Sequence, residues 1–478
     1  MKKDTLFYSL AKFLPSGVNF VCLSVFSYLL EPAVLGEYNV LFASVMLSNA
    51  LLFQWIRVVL LRYFNRYTDS GREPFIKTIM FLTVAVLLLS LVLLVGFLFT
   101  NPAVNTKIYV YGFGCLAVFS VYDINLELHR SSLASKVYAK TEAFRAVLFF
   151  VLSISLVYTF RTSEAICIAY ILSMLLPLAV FRSNYLTAST AYAGKESLRN
   201  LLMFGLPLAI MLASSYVNNV IDRILIAQYL SVEKASLYAT SYDLFKQVIW
   251  IPFLIINLAN YPKLIKSYEQ KAAGDLQHKL QQNINILTLA SIVLAFFLVI
   301  NARELVTIVL GEAYRKTALD IMPYIIIGTI FYGVTVYHYN NAFQFKEKTK
   351  SLALIYLAGS VINILINVVL LEKFQLMGAA YATLISYVVI YLLSFFLGRI
   401  YMKMPQPDYR RLGALIGLLT IIYLGLSFVP IPNLILYILV KNSVAAIVLL
   451  AFELRYNLLG FRSTVTVMFT RINLVIKS

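Results

Sequence analysis

The chain of 478 residues is 61% hydrophobic and only 13% charged, with a net charge of +18 and a mean hydropathy of +0.82. Soluble domains carry about 25% charged residues, so this composition excludes a soluble enzyme and a disordered scaffold. It leaves an all-α polytopic membrane protein whose apolar runs repeat from end to end.

In chain order, apolar runs near 13–30, 38–61, 78–100, 108–128, 144–160 and 165–181 predict six spans. Six more follow near 200–229, 235–259, 283–300, 321–343, 352–371 and 377–398, with a final pair near 412–429 and 432–452. At about 20 residues per span these fourteen runs leave only short connections. Lys12 interrupts the first run and no small-residue cleavage site follows Leu30, which reads as an uncleaved anchor. Pro15 and Pro207 sit near the inner ends of the first and seventh runs, as hinges or as prolines that a membrane helix tolerates.

Basic residues alternate with the spans. Lys2, Lys3 and Lys12, then Arg62, Arg66, Arg72 and Lys77, then Lys136 and Lys140 fall on one side. Lys263, Lys266, Lys271 and Lys279, then Lys346, Lys348 and Lys350, then Arg410 and Arg411, and finally Arg455, Arg462, Arg471 and Lys477 continue the series. By the positive-inside rule these connections and both termini are cytoplasmic. The charge surplus is therefore topological, with attraction to anionic membrane lipids as a side effect, and nucleic acid is not expected as a partner.

Six spans, a basic linker and six more spans predict two lobes of the same orientation, a parallel pseudo-repeat around a central cavity. The expected divisions are an amino-terminal lobe at 1–182, a cytoplasmic linker at 183–199, a second lobe at 200–400, and two extra helices with a cytoplasmic tail at 401–478. A faint echo joins the lobes: Leu30 and Tyr38 recur 200 residues later as Leu230 and Tyr238.

The stretch NNVIDRILIAQYLSVEKASLYATSYDLF, the loop LVTIVLGEAYRKTALDIMPY and the pair of helices in SVINILINVVLLEKFQLMGAAYATLISY together resemble polysaccharide and oligosaccharide flippases of the MOP superfamily. The matching positions are Gly311, Tyr314, Asn363, Asn367, Gly378, Ala379, Ala380, Ala382 and Thr383. The resemblance implies a cavity lined chiefly by spans 1, 2, 7 and 8. It also implies a polyprenyl-diphosphate-linked oligosaccharide as cargo, moved to the outer leaflet of a bacterial cytoplasmic membrane for O-antigen, capsule or exopolysaccharide synthesis. A polysaccharide polymerase and chain-length machinery are the partners it would imply.

Charges where lipid disfavours them mark the candidate site. Arg57, Arg223 and Lys246 fall on the implied cavity helices and are read as substrate-binding cations for a diphosphate and sugar acids. Asp222 and Asp243 are candidates for coupling transport to an ion. Asp243 and Lys246, three apart on one face, can also neutralise each other. Asp222 and Arg223 are successive, pointing about 100° apart, so one of them can face a cavity. Weaker candidates are Asp123 and Glu127, four apart and within reach of Arg57, Arg130 or Arg145, and His338 between two tyrosines. Asn363 and Asn367 either pack or line a polar path.

Tyr109, Tyr111 and Tyr122, and Tyr324, Tyr332 and Tyr337, can stack on sugars or form an interfacial belt. Cys22, Cys115 and Cys167 lack metal-ligand spacing and read as packing residues; neither a metal nor a cofactor is expected. A multidrug or cation antiporter of the same superfamily and a peptidoglycan-precursor flippase are the alternatives. A membrane polymerase is disfavoured because the longest outer connection, Asn301–Asp320, offers only Glu304 and Glu312 as a potential acid pair.

Overall fold

The computed structural model describes residues 2–66, 69–101, 105–183, 195–270, 273–427 and 434–456. Most of the expected linker, together with Lys271, Arg462, Arg471 and Lys477, lies outside the described residues. What is described is helical, with no strand among the described residues. Ten of the helices are long and apolar enough to cross a membrane. A helix satisfies every interior backbone group within its own segment, which is why hydrocarbon permits it.

The chain splits into two compact units. The first comprises Met1–Leu244, Val309–Ile321 and Tyr356–Ser386. It holds α1 (Lys2–Leu29), α2 (Pro32–Leu52), α3 (Gln54–Tyr63), α4 (Asp69–Thr100), α5 (Thr106–Ser131), α6 (Ser135–Phe160), α7 (Ser163–Val180) and α8 (Lys195–Tyr229). Within it α1 lies along α6, α6 and α5 pack on α7, and α2 and α3 pack on α8. Two glycines permit close approaches. A Cβ on Gly36 would strike the Val232 carbonyl, and one on Gly205 would strike the Trp55 ring. The three cysteines are buried and free.

The second unit comprises Phe245–Ile308, Met322–Ile355 and Tyr387–Ser478. Its described helices include α10 (Ala273–Ile300) and α11 (Ala302–Val309), with α16 (Tyr409–Ser427) packed on α10 and on α17 (Leu434–Tyr456). Leu289, Leu415, Leu419 and Phe452 form a core there. The long helices α9 (Val232–Glu269), α12 (Glu312–Val334), α14 (Thr349–Phe374) and α15 (Leu376–Tyr401) each contribute a segment to both units.

Three expected elements differ in detail. The second run, read as one span, is broken at Phe53 between α2 and α3. No Pro or Gly marks that break; Phe53 is buried and its backbone leaves the helical region. The connection Asn301–Asp320, expected on the outer side, is not an open loop, because α11 and the first turns of α12 occupy it. The acidic residues Glu304 and Glu312 fall in the first turns of these helices, where they complement the positive end of the helix dipole. The tenth run is interrupted by a π-helical turn, Thr335–Tyr339, before α13 (Asn340–Phe345).

Candidate functional site

Asp222, on α8, is buried among neutral donors from three other helices. Its Oδ1 accepts from Asn367 Nδ2 of α14 at 2.8 Å, and its Oδ2 accepts from the Thr383 hydroxyl of α15 at 2.6 Å and the Tyr238 hydroxyl of α9 at 3.1 Å. Asn363 continues the network one turn along α14, donating to Ser386 Oγ at 3.3 Å and accepting from Asn367 through its backbone carbonyl at 3.0 Å. A carboxylate can be held in a poorly solvated interior only when its oxygens are so satisfied. Asn367 Oδ1 is buried beside this carboxylate with no hydrogen-bond partner, leaving the cluster rich in oxygen acceptors.

The neighbouring charges are arranged differently from Asp222. Arg223 is buried and pairs with Asp243 Oδ1 of α9 at 2.5 Å. The 100° separation between successive residues thus lets Asp222 reach α14, α15 and Tyr238 of α9, while Arg223 reaches Asp243 one turn and more further along α9. Lys246 is half-buried and donates to the Tyr387 hydroxyl of α15 at 3.4 Å. Arg57, on α3, pairs with Asp123 of α5 and donates to Asn49 Oδ1 of α2 at 2.9 Å. Glu127 pairs with Arg130 at 3.6 Å, while Arg145 pairs instead with Glu142 at 3.2 Å.

His338 lies fully buried in the π-turn, its Nε2 3.0 Å from the Pro405 carbonyl and its Nδ1 without a hydrogen-bond partner. Tyr122 is buried and donates to Glu142 at 2.7 Å, whereas Tyr109 lines an apolar cavity of about 240 Å³ with Ser44, Ser48 and Ser90. Lys441, a further basic residue within a span, is buried by a 2.7 Å pair with Glu304 and a 2.7 Å bond to the Ile300 carbonyl. The reach from α17 to Glu304 spans 137 positions, too far for spacing to reveal.

The motif residues have structural duties. The Gly311 N–H donates to Ser27 Oγ at 3.0 Å, and a Cβ there would collide with the Ser27 carbonyl. Ser24 donates to the Val309 carbonyl at 2.7 Å, and the Tyr314 hydroxyl lies 3.2 Å from Ser236 Oγ. Gly378 lets α15 turn back against the Leu370 carbonyl of α14, with Ala379, Ala380 and Ala382 fully buried behind it. Small residues allow such backbone contact in membranes.

Buried, hydrogen-bonded charges inside membrane spans mark a candidate functional site, and comparison with solved structures bears on the fold directly. The chain is similar to the lipid II flippase MurJ in an inward closed conformation, with a TM-score of 0.74 over 96% of this chain and 99% of that one, at 13% identity. An inward-facing multidrug resistance MATE family transporter of the MOP superfamily aligns with a TM-score of 0.61 over 83% of this chain and 97% of that one, at 14% identity. An outward-facing conformation of a multidrug resistance MATE family transporter aligns with a TM-score of 0.56, at 15% identity, over 84% of this chain and 95% of that one. The chain shares the fold of these three structures. Residues 25–319 match the family model described as polysaccharide biosynthesis protein, and the chain belongs to that family. No curated protein matches it by sequence.

Proposed function

We propose that this chain is a flippase that carries a polyprenyl-diphosphate-linked oligosaccharide from the cytoplasmic to the outer leaflet of a bacterial cytoplasmic membrane, for surface polysaccharide synthesis. The observation that carries the reading is that a member of a polysaccharide biosynthesis family has a transporter fold. Making a surface polymer requires its lipid-linked units to cross the membrane, and such a fold moves cargo past a midplane site by alternating access.

In this reading Arg57, Arg223 and Lys246 are the cations offered to the diphosphate and to acidic sugars. Arg57 and Arg223 rest on Asp123 and Asp243, which keep the buried charges satisfied when no cargo is bound. Drawing either arginine onto a phosphate leaves its carboxylate unpaired, a cost that the new charge-assisted bonds to the cargo offset in this scheme. Asp222 is the coupling residue. Its oxygens, with the unpartnered Asn367 Oδ1, suit a hard monovalent cation or a proton, and Asp243 is the second coupling candidate. Glu127, Asp123 and His338 stabilise helices in this scheme. The released cargo is handed to a polymerase and its chain-length machinery.

The test is transbilayer movement in vesicles containing the purified protein. A lipid-diphosphate oligosaccharide is one cargo, lipid II a second and a cationic dye a third. Movement of the oligosaccharide lipid without dye is the expected result. Movement of lipid II alone would make this a peptidoglycan-precursor flippase, and movement of dye alone a drug antiporter.

A further inference from the structure

On α9, Trp250 lies one turn beyond Lys246 on the same face, and both side chains are half-buried. Charged side chains within spans face the bundle interior or a water-filled cavity, and Trp250 shares the helix face of Lys246. Trp250 is one of only two tryptophans in the chain; the other, Trp55, is buried.

The indole is held by a continuous aromatic assembly. Tyr332 stacks on Trp250 at 5.6 Å and 27°, Tyr387 stacks on Tyr332 at 4.4 Å and 15°, and the Tyr387 hydroxyl accepts from Lys246. The circuit therefore closes on the same helix from which it began. Tyr337 meets Trp250 at 5.3 Å and stacks on Phe253 at 6.1 Å and 15°. Phe253 seats directly over Gly333, where a Cβ would come within 2.6 Å of its ring.

The π-turn makes this arrangement. In a regular helix, residues five apart point about 140° apart, which would send Tyr332 and Tyr337 to different neighbours. The wider turn at Thr335–Tyr339 brings both onto Trp250. Its disturbed backbone is satisfied by Asn283 of α10, which donates to the Tyr337 carbonyl at 3.1 Å. Asn260 in turn donates to Asn283 Oδ1 at 3.1 Å. A π-turn kept in place by polar side chains from two other helices is an expensive feature for packing alone, and such turns recur at functional sites.

We propose that Trp250 is a sugar-stacking platform and Lys246 its anion-binding rim, together recognising a pyranose that lies beside an anionic oxygen group. A ring face carries negative potential and attracts the polarised C–H groups of a pyranose. The ammonium one turn away, about 6 Å at helical spacing, pairs with a carboxylate or phosphate. The anionic group is either a sugar acid or the lipid diphosphate. This inference rests on the flippase reading and assigns the residues that select the sugar.

The experiment uses Trp55→Phe protein, in which Trp250 is the sole indole, and a Trp250→Phe difference spectrum of the otherwise unaltered chain as its control against misfolding. The probes are a lipid-diphosphate oligosaccharide that the vesicle assay shows to be carried and the same polyprenyl diphosphate without sugar. The sugar-bearing lipid should change Trp250 emission saturably, while the bare lipid leaves it unchanged. Trp250→Ala should raise the KM for translocation about tenfold, and Trp250→Phe should stay within about threefold of the parent. Lys246→Gln should weaken binding of the sugar-bearing lipid. If it also weakens binding of the bare lipid, the anion is the diphosphate, and if it does not, the anion belongs to the sugar. Identical emission with both lipids, with normal translocation by Trp250→Ala, would overturn the inference and leave the flippase reading standing. Failure of any lipid-linked oligosaccharide to move would overturn both.

Discussion

The Thr383 hydroxyl lies 2.6 Å from Oδ2 of Asp222, joining α15 to α8 across 161 positions of sequence. This buried carboxylate, held by three neutral donors, is the proposed coupling residue. Asp222→Asn should leave membrane insertion intact and abolish the dependence of translocation on an imposed sodium or proton gradient. Unchanged gradient dependence in vesicles would remove Asp222 from the coupling scheme. Thr383→Val removes one donor while keeping the volume and should cost about 1–3 kcal/mol, read as a lower Tm in detergent.

The Arg223–Asp243 pair separates structural from functional charge. Asp243 is 27% exposed at its side chain against 11% for Arg223, so water screens the pair in part. Arg223→Gln should lower both Tm and translocation. Adding Asp243→Asn should restore much of the Tm, since no carboxylate is then left without its partner, while translocation stays low. Recovery of translocation in the double variant would show that Arg223 serves only its partner.

Arg57 invites the same comparison against Asp123. Arg57→Lys keeps the charge but loses the planar fork that reaches Asp123 and Asn49 together. The expected outcome is a several-fold loss of translocation with little change in protein level. Parent activity would argue that a point charge suffices.

Gly311 tests the contact of the α11–α12 connection, expected on the outer side, with α1. The Ser27 carbonyl leaves no room for a Cβ, so Gly311→Ala should prise Val309 and Gly311 away from Ser24 and Ser27. A cysteine introduced at Ser24 should then react faster with an impermeant thiol reagent added from outside. The native thiols are buried and give a low background. Equal reactivity in the two backgrounds would exclude this role for the glycine.

Topology is open to a direct check. Reporters fused after Lys316 and after Lys350 should report the outer and inner sides respectively, and the reverse result would invalidate the assignment of the spans.

The sequence by itself determined the fold class. Hydrocarbon imposes its demand locally, residue by residue over each run, so the apolar runs fell on helices, and the family-like motif carried Gly311, Tyr314, Asn367 and Thr383 into view. It also singled out the few charged residues within the runs, because burying charge in lipid is costly wherever the helix packs. What those residues touch was decided only by tertiary structure. The i,i+3 spacing offered Lys246 as a partner for Asp243, yet Arg223 on another helix pairs with that carboxylate. Spacing allowed Arg57, Arg130 or Arg145 near the carboxylates of α5, and packing gave Arg57 to Asp123 and Arg130 to Glu127 but Arg145 to Glu142. The break at Phe53 carries no Pro or Gly, and the π-turn that gathers Tyr332 and Tyr337 on Trp250 is preceded only by Gly333, which a single sequence does not distinguish from a packing glycine. The π-turn is held by a side chain 54 positions away, Asn283 on the Tyr337 carbonyl, and contacts of that range leave no periodic trace in a single chain.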